Sequence, residues 1–402
     1  MMKYIIIVPD GMADNPIEEL GDRTPLEAAH SINMDFMAKE GAQGILHSIP
    51  KGMHPGSEIG NLSLLGYSPD KYFSGRAPLE AANMGIELKD DEIAFRCNFV
   101  TLDSNRMKDY SAGHISSKEA ATLIDKLNEN VPEKNVRFYT GKSYRHLMIL
   151  QTPLVKNYVG VQCTPPHDIL GKDIGKYLPK GSKEALFLLK IMERSQQILS
   201  QHPTNQVRID LGDNPANSIW LWGQGLKTKL PKFKELYGIE GAIISAVDLV
   251  NGIGILAGLQ IIKVPGATGY YDTDYRAKAE YALKALKKND LVFIHIEAPD
   301  EAGHNGDLKA KIQAIESIDK DIVGTILNHF NPHDDFRILI LPDHPTPVKL
   351  RTHTSDPVPF LIFGKGISRD GAIEYSERSA KSTGKIFKDG QALMENFINK
   401  YS

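Results

Sequence analysis

Four short runs of this chain are apolar on both faces, and three of them stop on an aspartate. Tyr4-Ile5-Ile6-Ile7-Val8 ends at Pro9-Asp10-Gly11, and Leu291-Val292-Phe293-Ile294-His295-Ile296 ends at Glu297-Ala298-Pro299-Asp300. Arg337-Ile338-Leu339-Ile340-Leu341 ends at Pro342-Asp343-His344, and the fourth run is Gly241-Ala242-Ile243-Ile244-Ser245. A strand without a polar face must be covered on both sides, as the central strands of a parallel sheet are. Helical patterns over 275–288 and 309–330 lie between the runs, and alternating strands and helices make an α/β fold. Ligands of such sheets sit beyond the C-terminal strand ends. Three aspartates are therefore predicted to arrive at one place.

The middle of the chain reads differently. It has alternating segments over 93–102 and 147–151, many basic side chains, and a long helical pattern over 183–201. This block separates the first strand from its three partners. The simplest topology is one α/β core made of residues 1–89 and 215–402, with an α+β domain of residues 90–214 inserted. The length, 402 residues, also exceeds what one ordinary core organises. There is no internal repeat and no low-complexity tract.

Composition removes several classes of partner. Charged residues make up 24% of the chain, yet the net charge is only −3. That argues against nucleic acid as partner, and any anionic substrate must be held by a local cluster. The two cysteines, Cys97 and Cys163, form no framework, which fits a reducing cytoplasm. The apolar run at 4–8 is too short for a secretory signal. No segment approaches the roughly 20 apolar residues that cross a bilayer, so no membrane partner is expected.

The chemistry concentrates at the strand ends. In Asp300-Glu301-Ala302-Gly303-His304 a carboxylate and an imidazole four residues apart share a face if a helix starts there. Asp343-His344 follows another strand, and Thr352-His353-Thr354 comes shortly after. A single aspartate after a strand is ordinarily a helix cap, but independent caps would not bring His304, His344 and His353 with them. Together with Asp10 the set has three carboxylates and three imidazoles and no thiolate, which suits Mn²⁺, Zn²⁺ or Mg²⁺. Six ligands are too many for one catalytic ion and fit two. Within His54-Pro55-Gly56-Ser57-Glu58-Ile59-Gly60-Asn61, Ser57 is either a helix cap or a nucleophile at a helix N-terminus, where backbone N–H groups favour phosphate. A metal cluster nearby favours the nucleophile. Read residue by residue, the chain is a two-metal phosphoryl-transfer protein. Gly141-Lys142-Ser143 is no P-loop, because Val136 stands where the first glycine is required.

These motifs occur in the order of the alkaline phosphatase superfamily. Further motifs are Gly75-Arg76-Ala77-Pro78-Leu79-Glu80-Ala81, Phe95-Arg96-Cys97-Asn98-Phe99, Ser111-Ala112-Gly113-His114-Ile115, Tyr144-Arg145-His146 and Asn217-Ser218-Ile219-Trp220-Leu221-Trp222-Gly223. With them the chain resembles the archaeal-type cofactor-independent phosphoglycerate mutases from its first residues almost to its last. The resemblance implies an alkaline-phosphatase-like parallel-sheet core and an isomerase of glycolysis and gluconeogenesis. It would interconvert 2- and 3-phosphoglycerate without bisphosphoglycerate. The resemblance also implies two divalent ions, Mn²⁺ foremost with Zn²⁺, Mg²⁺ or Co²⁺ as alternatives. One ion would sit on Asp300, His304 and His353, the other on Asp10, Ser57, Asp343 and His344. Ser57 would carry the phosphoryl group, with His114 assisting. Arg76, Arg96, Arg145, His146, His167 and Asp168 would bind the substrate. A phosphatase, phosphodiesterase or sulfatase on the same metal core is the alternative, and it differs by admitting water.

Overall fold

Ile5, Ile6, Ile7 and Val8 have no exposed surface, because their strand lies in the middle of a sheet with helices on its faces. In the computed structural model, which describes residues 2–331 and 333–399, strand Lys3–Pro9 pairs in parallel with Leu291–Ile296 on one side and Phe336–Ile340 on the other. Leu291–Ile296 pairs in parallel with Gly241–Ile244, and that strand with the short Gln260–Ile261. The register sets Pro9 opposite Ile296 and Ile7 opposite Ile340, so the three aspartate-bearing runs end almost level.

The sheet is not parallel throughout. Val358–Gly364 runs antiparallel to Phe336–Ile340, and Ala42–Leu46 antiparallel to Val358–Gly364. With Ile386–Phe387 at the edge, the sheet has eight strands among the described residues. The sequence hides these two antiparallel strands for a reason. Pro359 lies inside one and Gly44 inside the other, and both residues ordinarily argue against a strand interior. Ile5 and Ile7 pack in one cluster with Met34, Met37, Ile315, Ile318 and Ile322. The helical pattern over 309–330 is realised as helix Leu308–Ser317, a π-helical stretch Ile318–Val323 and helix Gly324–Leu327.

The chain forms two units, one of Met1–Phe73 with Lys229–Ser402 and the other of Ser74–Thr228. The second is an antiparallel α+β unit. Its strand Glu92–Asp103 pairs with Arg106–Asp109, Arg145–Gln151 and Ser218–Leu226, and Val136–Lys142 completes the sheet. Helices Ser117–Asn130 and Lys183–Leu199 contribute Leu123, Leu127, Leu188 and Met192 to its core beside Phe95, Phe99 and Trp220. The unit extends beyond 90–214 at both ends. Helix Arg76–Asn83 packs Ala77 and Ala81 against Ala94 and Ile149, and Ser218–Leu226 is paired to the central strand. Its two ends are bonded together: Ser74 Oγ donates to Leu226 O at 2.7 Å and lies 2.9 Å from Thr228 Oγ1. Cys97 and Cys163 are both free thiols. Among the described residues no helix is long and apolar enough to cross a membrane.

One buried ion pair braces the strand ends. Lys311, on helix Leu308–Ser317, has no exposed surface. Its Nζ donates to Asp14 Oδ2 at 2.8 Å, Thr346 O at 2.8 Å and Ala13 O at 3.4 Å. Asp14 Oδ2 also accepts from Val348 N–H at 3.0 Å. Removing the lysine head group leaves the Asp14 carboxylate buried without its cation. Lys311→Met is therefore expected to cost about 3–5 kcal/mol, read as a lower urea midpoint. An unchanged midpoint would show that the pair does not brace the loop.

Candidate active site

Each ligand-type side chain is placed by a local rule. Asp10 directly follows its strand, and the chain turns at Gly11 with φ +62°. A Cβ at Gly11 would fall 2.5 Å from Thr346 Oγ1 and 2.6 Å from Asp300 Oδ1, so only glycine serves there. Asp300 and His304 sit one turn apart on helix Ala298–Asn305, which starts with Pro299 in its first turn. Asp343 and His344 lie fully buried in the loop after Phe336–Ile340. Ser57 opens helix Ser57–Leu64 behind Gly56, which aims its hydroxyl away from the helix body at the end that attracts anions.

These six side chains and His353 come together. His304 Nε2 lies 3.3 Å from Asp300 Oδ2, His353 Nε2 lies 3.4 Å from Asp300 Oδ1, and the two Nε2 atoms are 2.8 Å apart. His344 Nε2 is 3.5 Å from both Asp10 Oδ1 and Asp343 Oδ2 and 3.3 Å from Ser57 Oγ. Ser57 Oγ is 3.4 Å from Asp10 Oδ2. The two groups adjoin, with the His344 and His353 ring centroids 4.1 Å apart. Asn61 holds the serine side of the site, donating to Ser57 O at 2.9 Å and to Asp343 Oδ2 at 2.8 Å.

The electrostatics call for cations. Burial, followed by the charges of Asp343, Asp300 and Glu297, pushes Asp10 well above the usual carboxylate range. Burial and then the Asp300 charge do the same to Glu297. Burial also works to raise Asp300, but hydrogen bonds from His304 and His353 outweigh it and hold that carboxyl well below its usual range. His304 is raised in return, chiefly by its bond to Asp300, whereas burial lowers His344. Two more groups stand behind Asp10. Burial lowers His295 to about 4 and Lys278 to about 8. His295 Nε2 is 3.0 Å from Asp10 Oδ2 without making a hydrogen bond, and Lys278 Nζ donates to His295 O at 3.0 Å.

These residues fit divalent ions. Asp10 Oδ1 is buried without a hydrogen-bond partner. Two imidazole nitrogens converge on one carboxylate. The donors of Asp300, His304 and His353, and those of Asp10, Asp343 and His344, lie within 4.8 Å of one another in each group. Oxygen and nitrogen donors of this kind take hard or borderline cations.

The second unit gathers most of the remaining candidates on a chain of ring contacts. Arg96, almost buried, lies with its guanidinium 4.0 Å from the Trp222 ring and its Nε 3.0 Å from Glu80 Oε2. Arg76 lies 5.7 Å from the same ring. The His167 ring is 5.3 Å from Trp222 and 6.2 Å from Tyr110. Tyr110 is 6.2 Å from Tyr144, which touches His114 at 6.0 Å and Arg145 at 5.5 Å. His114 is exposed at φ +49° in a turn organised by Asp109. Burial works to raise the Asp109 carboxyl, but its bonds from Ser111, Asn214 and Gly113 outweigh that and hold it below its usual range. Asp168 is exposed, 3.7 Å from His167. His146 is the most buried member of the set. Its neighbour on the strand faces out, so its own ring faces in. It is 2% exposed, packs on Phe99, accepts from Gly141 N–H at 3.0 Å, and is lowered by burial to about 3. Its other ring nitrogen, Nε2, is buried without a hydrogen-bond partner.

A family model described as 2,3-bisphosphoglycerate-independent phosphoglycerate mutase matches residues 38–205. A protein of that name from Methanosarcina acetivorans is 52% identical over 386 residues, covering 96% of each chain. The chain belongs to the 2,3-bisphosphoglycerate-independent phosphoglycerate mutase family. A relative from Geobacter sulfurreducens, named as a probable mutase of the family, is 47% identical over 99% of this chain and all of its own. Among solved structures, a Pyrococcus horikoshii protein superimposes with a TM-score of 0.83 at 31% identity, covering all of this chain and 98% of its own. The cofactor-independent phosphoglycerate mutase of Thermoplasma acidophilum does so at 0.68 and 26%, covering both chains fully. Within this family framework, sequence reasoning overlooked Asn61, Glu80, Trp222, His295, Glu297 and Thr346. Of these, Glu80 could have been found beside the candidate Arg76 in one motif, and Trp222 inside another of the quoted motifs.

Proposed function

We propose that this chain interconverts 2-phosphoglycerate and 3-phosphoglycerate without bisphosphoglycerate, with Ser57 as the residue that carries the phosphoryl group between the two hydroxyls. The observation that carries the reading is the position of Ser57 Oγ. It stands at a helix N-terminus, 3.4 Å from Asp10 and 3.3 Å from His344, in a chain of this family. Two divalent ions, Mn²⁺ first, held by Asp300, His304 and His353 and by Asp10, Ser57, Asp343 and His344, would supply positive charge against the phosphoryl oxygens and favour deprotonated serine.

In this reading Ser57 Oγ forms a bond to phosphorus while the glycerate oxygen leaves and gains a proton, with His114 assigned to assist at that oxygen. Glycerate then turns, and its other hydroxyl takes the phosphoryl group from Ser57. Arginine forks suit a carboxylate, and Arg76, Arg96 and Arg145 are assigned to it, with His167 and Asp168 to the hydroxyls. Glu80 and Trp222 hold Arg96 in place before substrate arrives, which lowers the ordering cost of binding. The cytoplasm and the central three-carbon steps of sugar metabolism are the setting this substrate implies.

The test supplies 3-phosphoglycerate alone and follows 2-phosphoglycerate and free phosphate in parallel. Formation of 2-phosphoglycerate with little phosphate is expected, and phosphate as the only product would hand the chain to the phosphatase alternative. Arg145→Ala should raise KM and the share of turnovers lost to hydrolysis. Identical KM and product ratio in wild type and variant would remove Arg145 from the site.

A further inference from the structure

Thr346 has no exposed surface, and nothing in the sequence marks it. Its hydroxyl donates to Asp300 Oδ1 in a short hydrogen bond and lies 3.3 Å from His344 Nδ1. One hydroxyl therefore touches a member of each ligand group. The residue is held firmly for this. Its N–H is shared between Gly11 O and Ala13 O at 3.3 Å each, and its carbonyl accepts from Lys311 Nζ at 2.8 Å. Room for it is made by glycine on two sides. A Cβ at Gly11 would meet its Oγ1, and one at Gly303 would run into its carbonyl.

A hydroxyl has one proton to give. Asp300 Oδ1 takes it, so towards His344 Nδ1 the Thr346 oxygen can only accept. Nδ1 must then bear the ring proton, which leaves the lone pair on Nε2. Nε2 is the atom that faces Asp10 Oδ1, Asp343 Oδ2 and Ser57 Oγ. We propose that Thr346 is a positioning residue whose hydroxyl fixes the tautomer of His344 and the orientation of Asp300, and so links the ligand sets of both ions. Supporting hydrogen bonds of this kind tune metal affinity by about 10–100-fold. The inference rests on the two-metal reading above.

The experiment compares wild type, Thr346→Val and Thr346→Ser. Each is stripped of metal and titrated with Mn²⁺ by calorimetry, and the ring nitrogens of His344 are read by NMR in the metal-free protein. Wild type should bind two ions and show the Nδ1–H form. Thr346→Ser, which keeps the hydroxyl, should match it within a few-fold. Thr346→Val should bind at least one ion about 10-fold more weakly or worse and lose the single tautomer. Two ions in wild type with undiminished affinity in Thr346→Val overturns this inference alone. No uptake of Mn²⁺ by wild type sinks the two-metal reading and the inference together. The ring measurement on wild type decides the matter even where Thr346→Val does not fold, because an Nε2–H tautomer there overturns the proposal.

Discussion

Ser57→Ala is expected to lower mutase turnover by about 10⁴-fold or more, since it removes the hydroxyl assigned to take up the phosphoryl group. The fold should survive. The substitution removes one oxygen from a partly buried side chain, and the bond from the Asn61 side-chain amide to Ser57 O at 2.9 Å is untouched. The helix also keeps its opening at Gly56. Rapid quench of wild type with phosphorus-labelled substrate should place the label on Ser57. Label on a histidine, or a rate loss below tenfold in the variant, would exclude the serine route.

Stripping the divalent ions should abolish activity, and Mn²⁺ should restore it. Buried carboxylates that raise one another in the metal-free protein gain most from a cation between them. Each ion at a hundred times its dissociation constant adds about 2.7 kcal/mol to stability, so the melting temperature should climb as the metal is returned. Acidity should counteract the metal, because ligands must be deprotonated to bind. His304 is raised above the ordinary histidine value by its bond to Asp300. A raised value means that the proton goes on at higher pH, so competition begins before an ordinary histidine would titrate. The Mn²⁺ concentration for half-activity should therefore rise as pH falls from 8 towards 6, and saturating metal should move the acid limb to lower pH. Full activity in a preparation shown to be metal-free by elemental analysis would end the two-metal reading.

Strand ends were legible in the sequence because burial on both faces leaves no alternation, and an aspartate after such a run is easy to see. Asp10, Asp300 and Asp343 came from that rule, and His304 from helical spacing. The supporting residues were not legible. Thr346 and Asn61 look like any loop or helix polar residue, and their importance depends on which strand ends lie level. Lys311 and Lys278 lie on helices and are both buried, which helical pattern alone does not reveal. The burial of His146 was not legible either, because adjacent strand residues face opposite sides and the motif holding Arg145 and His146 does not say which of them points outward. The extent of the second unit was obscured in the same way. Helix Arg76–Asn83 belongs to it through small alanines that carry no pattern of their own.

The hydrogen bonds of Ser74 to Leu226 and Thr228 have a consequence for how such a chain could have arisen and can be altered. Closing a long loop costs entropy that grows with its length. Here the large insertion closes on itself, through bonds inside its own fold. To the metal-bearing core it costs little more than a short connection. Such a unit can lengthen, shrink or be exchanged without loosening the strand ends that carry Asp10, Asp300 and Asp343. If the insertion binds the substrate, as proposed, changing it alone would give one phosphoryl-transfer centre a new substrate.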